Sequence, residues 1–161
     1  MTENDPLVDR PSAFPWPPVI YAAALVAGWL LHLAIPLPWI GGMAAEILFA
    51  VGVLAICGGL AIDLAAMRYL ARAKTTVLPH RRADHLVTGG IYAVTRNPIY
   101  LGNTLLVISA GLVSGIAWYF VLAFLAAYAT QRLAIAREER HLELHFGKAY
   151  RDYKKRVNRW I

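Results

Sequence analysis

Two long apolar runs near the start of the chain limit the folds that this sequence can adopt. Residues 19–35 contain no Asp, Glu, Lys or Arg, and residues 43–67 contain only Glu46 and Asp63. Runs of this length match the roughly 17 to 25 residues that an α-helix needs to cross the hydrocarbon core of a bilayer. With 58% hydrophobic residues, the chain is also more apolar than an ordinary soluble domain. The sequence therefore predicts an all-α integral membrane protein.

Two further apolar segments follow a polar stretch in the middle of the chain. The uncharged pair Ser114 and Gly115 separates them, which favours a helical hairpin. Each segment is near the short limit for a full span, although both can extend past the hydrocarbon edge. We therefore predict about four transmembrane helices in a single membrane domain. The domain covers residues 16–161 after a polar tail at 1–15, and its predicted spans are 19–35, 43–67, 98–112 and 116–136.

The distribution of basic residues predicts the orientation of these helices. One cation precedes the first span, six lie between the second and third spans, and nine follow from Arg132 onward, whereas the short links at 36–42 and 111–115 contain none. Basic residues accumulate in the cytoplasmic loops of membrane proteins. Both termini and the central loop are therefore predicted to face the cytoplasm. The same rule accounts for the net charge of +6, so no nucleic-acid partner is expected.

The central loop at residues 80–100 has an unusual composition for a connection between membrane helices. It contains Gly89 and Gly90, which allow the backbone to approach a ligand closely. An Arg96-Asn97-Pro98 turn follows, in which the proline fixes its own φ and disfavours helix at the residue before it. We interpret the loop as a ligand site at the membrane edge. The alternative is a polar connection with a helix start at Pro98.

The last part of the chain has the periodicity of an amphipathic helix over residues 137–157. Its opposite face is basic, as in helices that lie on anionic headgroups, and Arg159 is expected to bind headgroups in this way. Glu138 and Glu139 fit such a surface poorly and are expected to need a cationic partner. The apolar residues recur at spacings of four, four, three and four, which places them on one face: Leu142, Phe146, Tyr150, Tyr153 and Val157.

Asp63 is an ionisable group near the end of the second span. Such a group inside a membrane helix is a functional candidate whose partner has to be found. We expect Asp63 to lie against the central loop, with Arg96 or a tyrosine hydroxyl as its partner. The alternative is a position at the membrane interface. The single cysteine, Cys57, excludes an internal disulfide, and no metal site is predicted.

The Arg-Asn-Pro turn and the glutamate pair are predicted to share one side of the membrane, so they can close over one cavity. A cavity with carboxylates, backbone amides and tyrosines suits a ligand that carries a cation, an amine, a carboxylate and a flat ring. S-adenosylmethionine has all four features.

Three motifs in the second half of the chain carry a family resemblance. They read L-V-T-x-G-x-Y at 86–92, R-x-P-x-Y-x-G at 96–102, and E-E-x-x-L-x-x-x-F-G-x-x-Y-x-x-Y-x-x-x-V-x-R at 138–159. Together they resemble the isoprenylcysteine carboxyl methyltransferases and the related membrane phospholipid methyltransferases, and the size of the chain resembles the bacterial members. The resemblance implies a multi-helix enzyme of the bacterial cytoplasmic membrane. Its S-adenosylmethionine pocket would lie between the central loop, the helical hairpin and the tail.

The resemblance also implies which residues bind the cofactor. Members of the family often have His where this chain has Asn97, so an imidazole acid-base role at that position is absent. Glu138 lies four residues before Leu142 and eight before Phe146, which places it on the inward apolar stripe, so we expect it to face the cofactor, with Glu139 either supporting it from behind or paired with an arginine. The implied cofactor-binding residues are Asp84, His85, Leu86, Val87, Tyr92, Arg96, Asn97, Pro98, Tyr100, Glu138 and Glu139.

The predicted function is methyl transfer from S-adenosylmethionine to a hydrophobic acceptor dissolved in the membrane, at its cytoplasmic face. The methylated group is a carboxylate, a thiol or an amine, and only a carboxylate needs no base. No catalytic residue is assigned, although Arg132 and Arg137 are candidates for orienting an anionic acceptor. Two alternatives are a nicotinamide-dependent reductase of the sterol reductase type, whose members are much larger, and a non-catalytic lipid-binding membrane protein.

Overall fold

The computed structural model describes residues 16–73 and 86–161, and within these ranges the regular structure is entirely helical. A 3-10 turn at Gly90–Ala93 precedes the third α-helix, and the chain widens to a π-helical pattern at Gln131–Ile135 after the fourth. The predicted all-α class is confirmed. The six α-helices are α1 Trp16–Ala34, α2 Met43–Arg72, α3 Pro98–Ser114, α4 Trp118–Thr130, α5 Ala136–Phe146 and α6 Lys148–Arg156.

Three helical stretches in the described part of the chain are long and apolar enough to cross a membrane: Pro17–Ala34, Met43–Arg72 and the continuous stretch Trp118–Phe146. Helix α3 is shorter, with 17 residues, which corresponds to about 26 Å at 1.5 Å per residue. Large apolar side chains on the outer surface are exposed, as lipid-facing residues are. Three long apolar helices and a shorter one therefore form an integral membrane protein.

Helices α2 and α3 pack along a line of glycines. At Gly52 an added Cβ would lie 2.8 Å from Leu112 Cβ, and at Gly59 it would lie 3.1 Å from the side chain of Leu106. On the facing helix, Gly102 leaves room for the backbone of Gly59. Small residues at helix interfaces let membrane helices approach closely, which is how they gain packing energy in lipid. This interface fixes α3 against the longest helix of the protein.

Helices α1 and α4 close the other side of the bundle around Tyr21. The Tyr21 hydroxyl donates to the backbone oxygen of Tyr100 at 3.1 Å and lies 2.7 Å from Thr104 Oγ1, so α1 is hydrogen-bonded to α3. Such partners stabilise polar groups inside a membrane because lipid supplies none. The buried apolar cluster around this contact consists of Tyr21, Ala24, Val107, Ile116, Tyr119, Ala123 and Ala126.

The two short uncharged links lie together at one end of the bundle. The indole nitrogen of Trp118 donates to the backbone oxygen of Ile35 at 2.8 Å. Helix α3 ends at Gly115, whose φ of 72° suits glycine, and the ring of Trp39 lies against this residue. Residues 86–97 of the central loop and the C-terminal helices are at the opposite end. This arrangement matches the division between uncharged and basic connections in the sequence.

The C-terminal segment forms two helices where the sequence predicts one over 137–157. Gly147 adopts a φ of 51° and separates α5 from α6, because glycine tolerates a conformation that a continuing helix does not use. The predicted apolar stripe nevertheless forms one cluster. Its buried members Tyr150, Tyr153 and Val157 pack with a group of partly buried residues: Leu86, Leu142 and Phe146. The stripe therefore packs against the end of the central loop.

Candidate functional site

The end of the central loop packs between two helices, with α2 on one side and α6 on the other. Gly90 has a φ of 59°, and the ring of Tyr69 occupies the space that a Cβ at this position would need. On the other side, the Tyr153 hydroxyl donates to the backbone oxygen of Tyr92 at 2.6 Å. Burial raises the pKa of Tyr153 to about 12, so this hydroxyl stays protonated at neutral pH. The loop is thus held at both faces.

The Arg-Asn-Pro turn is buried and internally hydrogen-bonded. Thr95 is fully buried, and its hydroxyl accepts a hydrogen bond from the backbone N–H of Asn97 at 3.1 Å. Pro98 then starts α3, where its missing N–H removes no helical hydrogen bond. The turn therefore fixes the start of the helix that carries Tyr100.

Glu139 joins the turn to the C-terminal helices through two arginines. Its Oε1 lies 3.0 Å from Arg96 Nη1, and Arg159 donates to both oxygens, from Nε at 2.9 Å and from Nη2 at 2.7 Å. The side chains of Arg96 and Glu139 are 9% and 10% exposed, and that of Arg159 is 34% exposed. Hydrogen bonding to Glu139 raises the pKa of Arg159. The expected cationic partner of the glutamate pair is therefore present.

Glu138 has a different environment from its neighbour. Its side chain is accessible to solvent but is surrounded by protein atoms, and this desolvation raises the pKa of its carboxyl. Its Oε2 accepts a hydrogen bond from the Tyr100 hydroxyl at 3.1 Å. Tyr92 is close enough that the charge of Glu138, after burial, contributes to raising the pKa of the Tyr92 phenol. Glu138, Tyr100 and Tyr92 thus form an accessible polar group beside the buried Arg96–Glu139 pair.

The expectation that Glu138 continues the buried apolar stripe is wrong. Glu139 is the buried member of the pair, and Glu138 is exposed. The spacing explains the error, because Leu142 and Phe146 lie at i+3 and i+7 from Glu139 as well as at i+4 and i+8 from Glu138. Both positions fit one helical face in sequence, whereas the expected pairing of Glu139 with an arginine agrees with the structure.

Within the described residues, Asp63 contacts α3 at Gly102, and residues 80–85 of the central loop lie outside that part of the chain. The space beside Gly102 is filled by the Asp63 carboxylate, which is partly buried. Its Oδ1 has no hydrogen-bond partner among residues 16–73 and 86–161. Arg96, the expected partner, is instead committed to Glu139 and to the Tyr150 hydroxyl at 3.3 Å.

The remaining predicted site residues are distributed around this centre. Asp84 and His85 lie outside the described residues. Leu86 packs on the cluster of α6 tyrosines, and Val87 is partly buried. Arg132 is exposed and donates to the Tyr128 hydroxyl at 3.2 Å, while Arg137 is exposed on α5.

Several residues that build the site have no counterpart in the sequence-based prediction. Thr95 and Tyr150 contact the turn directly, and Arg159 neutralises Glu139 although it was expected on lipid headgroups. The indole nitrogen of Trp160 donates to Gln131 Oε1 at 2.9 Å. One sequence signal does point to these contacts. Arg96 is the first residue of the second motif and Arg159 is the last residue of the third, and the adjacent glutamates lie between them in the chain.

Comparisons with known proteins place the chain in a family. Residues 47–149 match the family model of phospholipid methyltransferases. An uncharacterised protein of Haemophilus influenzae is 38% identical over 63 residues, which are 39% of this chain and 79% of that protein.

The fold is similar to that of a solved membrane enzyme. A eukaryotic intramembrane Ras methyltransferase, isoprenylcysteine carboxyl methyltransferase, superposes with a TM-score of 0.63 at 21% identity over 100% of this chain. The chain spans about half of that protein, 54% of its length. The match of well over half the chain to the family model confirms the predicted enzyme class, a methyltransferase. The chain therefore belongs to the phospholipid methyltransferase family.

Proposed function

We propose that the protein transfers a methyl group from S-adenosylmethionine to a lipid-type acceptor, beside the Arg-Asn-Pro turn. The single observation that carries this proposal is the pairing of an accessible carboxylate with a buried one. Glu139 holds the turn to the C-terminal helices, and Glu138 presents an exposed oxygen next to Tyr100. One glutamate is thus used for structure, and its neighbour remains free to bind a ligand.

The residues around Glu138 fit the polar groups of S-adenosylmethionine. A carboxylate accepts from amino and hydroxyl groups, and it attracts a positive charge. The Tyr92 and Tyr100 rings supply flat apolar surface in the same place. The proposed cofactor-binding residues also include Asp84, His85 and Val87, which precede Tyr92 in the central loop. Arg96, Asn97 and Pro98 are included because they form the turn that shapes the site.

The chemistry requires little of the protein beyond placement. When bound, S-adenosylmethionine would supply an activated methyl group: the acceptor's lone pair would form the new bond to the methyl carbon while the carbon–sulfur bond breaks, and the sulfonium would leave as a neutral thioether. The protein has to align the acceptor with the methyl group and exclude water, which accounts for large rate gains in such reactions. The start of α3, which carries Tyr100, is held for this purpose by the hydrogen bond that the Tyr100 backbone oxygen accepts from buried Tyr21.

The acceptor is proposed to reach the site from the bilayer. The helices below the turn expose apolar side chains to lipid, so a hydrophobic acceptor can approach without entering water. We further propose that the site faces the cytoplasm, as the basic loop and tail suggest. Arg132 and Arg137 are exposed near the same end and are proposed to attract an anionic headgroup.

Labelling of membrane lipids tests the proposal. Purified protein is incubated with methyl-labelled S-adenosylmethionine and total membrane lipid, and the labelled product is identified by mass spectrometry. We expect label in a lipid fraction, and much less label with Glu138→Gln. Glu143→Gln is the matched control, because Glu143 lies on the same helix in an exposed ion pair with Lys154. Binding of a reduced nicotinamide cofactor in place of S-adenosylmethionine would instead support a reductase.

A further inference from the structure

We propose that residues 158–160 form a clasp that orients Asn97 for ligand binding, with Arg159 as its positioning residue. The inference rests on the proposed function, because the ligand is taken to be S-adenosylmethionine. The clasp lies beyond residues 47–149, the part of the chain that matches the family model. Arg159 ends the third motif of the family resemblance, which gives this residue no role at the site.

The clasp binds the turn through its backbone. The carbonyl oxygen of Asn158 accepts from the backbone N–H of Arg96 at 3.0 Å. The next carbonyl oxygen, that of Arg159, accepts from Thr95 Oγ1 at 3.1 Å and from Asn97 Nδ2 at 2.9 Å. Three consecutive residues, Thr95 to Asn97, are thus hydrogen-bonded to two consecutive residues of the clasp.

These bonds determine which way the Asn97 amide points. A carbonyl oxygen can only accept, so Asn97 must direct its NH₂ group toward Arg159. Its own side-chain oxygen, Oδ1, is then the end that remains for another donor. S-adenosylmethionine carries an amino group on its ring, an ammonium group and ribose hydroxyls, all of which donate. Asn97 is therefore an acceptor in the site, and its orientation depends on the clasp.

Two side chains anchor the clasp to the helix that follows α4. The guanidinium of Arg159 forms a bidentate pair with Glu139 on α5, which fixes direction as well as distance. Trp160 donates to Gln131 in the π-helical segment. Because the clasp is bonded both to the turn and to these helices, it holds the turn in place before a ligand binds. Ligand binding then loses less conformational entropy in ordering the turn.

Calorimetric titration of the full chain with S-adenosylmethionine tests this role. We expect Arg159→Ala to raise the Kd about tenfold, the loss expected when a charge-assisted hydrogen bond no longer supports a site. Arg159→Lys keeps the charge but loses the bidentate geometry, so it should restore the affinity only in part. Lys155→Ala, an exposed residue of α6, is the control and should bind like the wild type.

Asn97→Asp tests the direction of the amide separately. An ionised aspartate cannot donate to the Arg159 carbonyl, so we expect its Kd for S-adenosylmethionine to rise at least as much as that of Arg159→Ala. In steady-state assays, both variants should raise the KM for the cofactor while kcat at saturating cofactor stays close to that of the wild type.

Two results would overturn the clasp. One is an unchanged Kd in both Arg159→Ala and Asn97→Asp. The other is a lower kcat and a lower melting temperature with an unchanged KM for the cofactor, since a purely structural segment behaves in that way. Failure of the wild type itself to bind S-adenosylmethionine would contradict the proposed function, so the two failures are distinguishable.

Discussion

Adjacent glutamates with opposite environments are the main feature of the site at the level of residues. Glu139 is buried between two arginines, and Glu138 is exposed beside Tyr100. A sequence shows that such a pair is present and that it needs a cation. It does not show which member turns inward, because both fit the spacing of Leu142 and Phe146. The environment of each glutamate therefore predicts a different mutant phenotype.

Glu138→Gln should weaken cofactor binding without weakening the fold. Loss of a charge-assisted hydrogen bond to the ligand corresponds to about 1.5 to 3 kcal/mol, or roughly a tenfold to hundredfold rise in Kd. The melting temperature in detergent should stay within a degree or so of the wild type, because Glu138 is exposed. Calorimetry and a thermal melt measure the two quantities. Wild-type affinity in this variant would exclude Glu138 from the site.

Glu139→Gln should do the opposite and destabilise the fold first. Removing one charge from a buried ion pair costs about 3 to 5 kcal/mol, and we expect the lower end because Arg159 is one-third exposed. The measurement is the melting temperature, compared with Glu143→Gln. That control removes only an exposed pair with Lys154, which contributes at most about 1 kcal/mol. Equal melting temperatures in the two variants would show that the buried network adds little.

The prediction of individual site residues from sequence has a physical limit. Arg96, Asn97 and Tyr100 could be placed at the site because they lie within one short motif. Arg159 could not, because its partner is 20 residues away in the chain and a helix break at Gly147 separates them. The contact between Asp63 and Gly102 could not be predicted either, since no local pattern reveals that Gly102 makes room for this carboxylate.

At the level of elements, the α2–α3 interface depends on which glycines face the partner helix. Gly52 and Gly59 do, whereas a Cβ at Gly58 would meet only Leu105 Cδ2, at 3.9 Å. Gly58 and Gly59 are adjacent and Gly52 lies in the same apolar helix, so the sequence predicts close packing without saying which glycine provides it.

Gly52→Ala and Gly58→Ala form a matched pair that tests this interface. In Gly52→Ala the new methyl group meets Leu112 and Val113, and overpacking of this kind costs about 1 to 3 kcal/mol. In Gly58→Ala there is room, so the gain in helix propensity of up to about 1 kcal/mol should dominate. Melting temperatures in one detergent should therefore fall for the first variant and hold or rise for the second. The reverse order would contradict the packing described here.

The C-terminal helices show how far periodicity can be used. The stripe from Leu142 to Val157 was predicted as one helical face, and its members do form one cluster. The break at Gly147 was missed, because a single glycine within an amphipathic pattern is compatible with a continuous helix. The apolar face of these helices packs against Leu86 of the central loop. A helix lying on the membrane surface would instead bury this face in lipid.

For the whole molecule, the division between uncharged and basic connections is the property that the sequence predicts best. The links near Trp39 and Gly115 lie at one end, and the loop and tail at the other. The number of basic residues in each connection predicts only which connections share an end and that the chain crosses the membrane an even number of times. The side of the membrane on which each end lies stays a prediction, which labelling can test.

Cysteine labelling at Gly41 and Ser114 measures the orientation. Both residues are exposed, so a thiol there is accessible, and Cys57 is first replaced by Ala to give a background without thiols. In intact cells or vesicles of known orientation, we expect an impermeant maleimide to label both positions from outside only. A cysteine at Lys155, in the basic tail, serves as the control that should react from the cytoplasm only. Labelling of Gly41 or Ser114 from the cytoplasm would reverse the topology.

The length of α2 has a consequence for the energetics of turnover. Its 30 residues extend about 45 Å, or about 42 Å at a typical tilt of ~20°, against a hydrocarbon core of about 30 Å. Tyr69, near its end, carries the loop at Gly90, so the proposed site stands at the height of the headgroups. An acceptor can then react while its chains stay in the bilayer, which avoids about 0.8 kcal/mol for each methylene that would otherwise enter water. The rate should therefore depend on the acceptor's headgroup and hardly at all on the length of its chains.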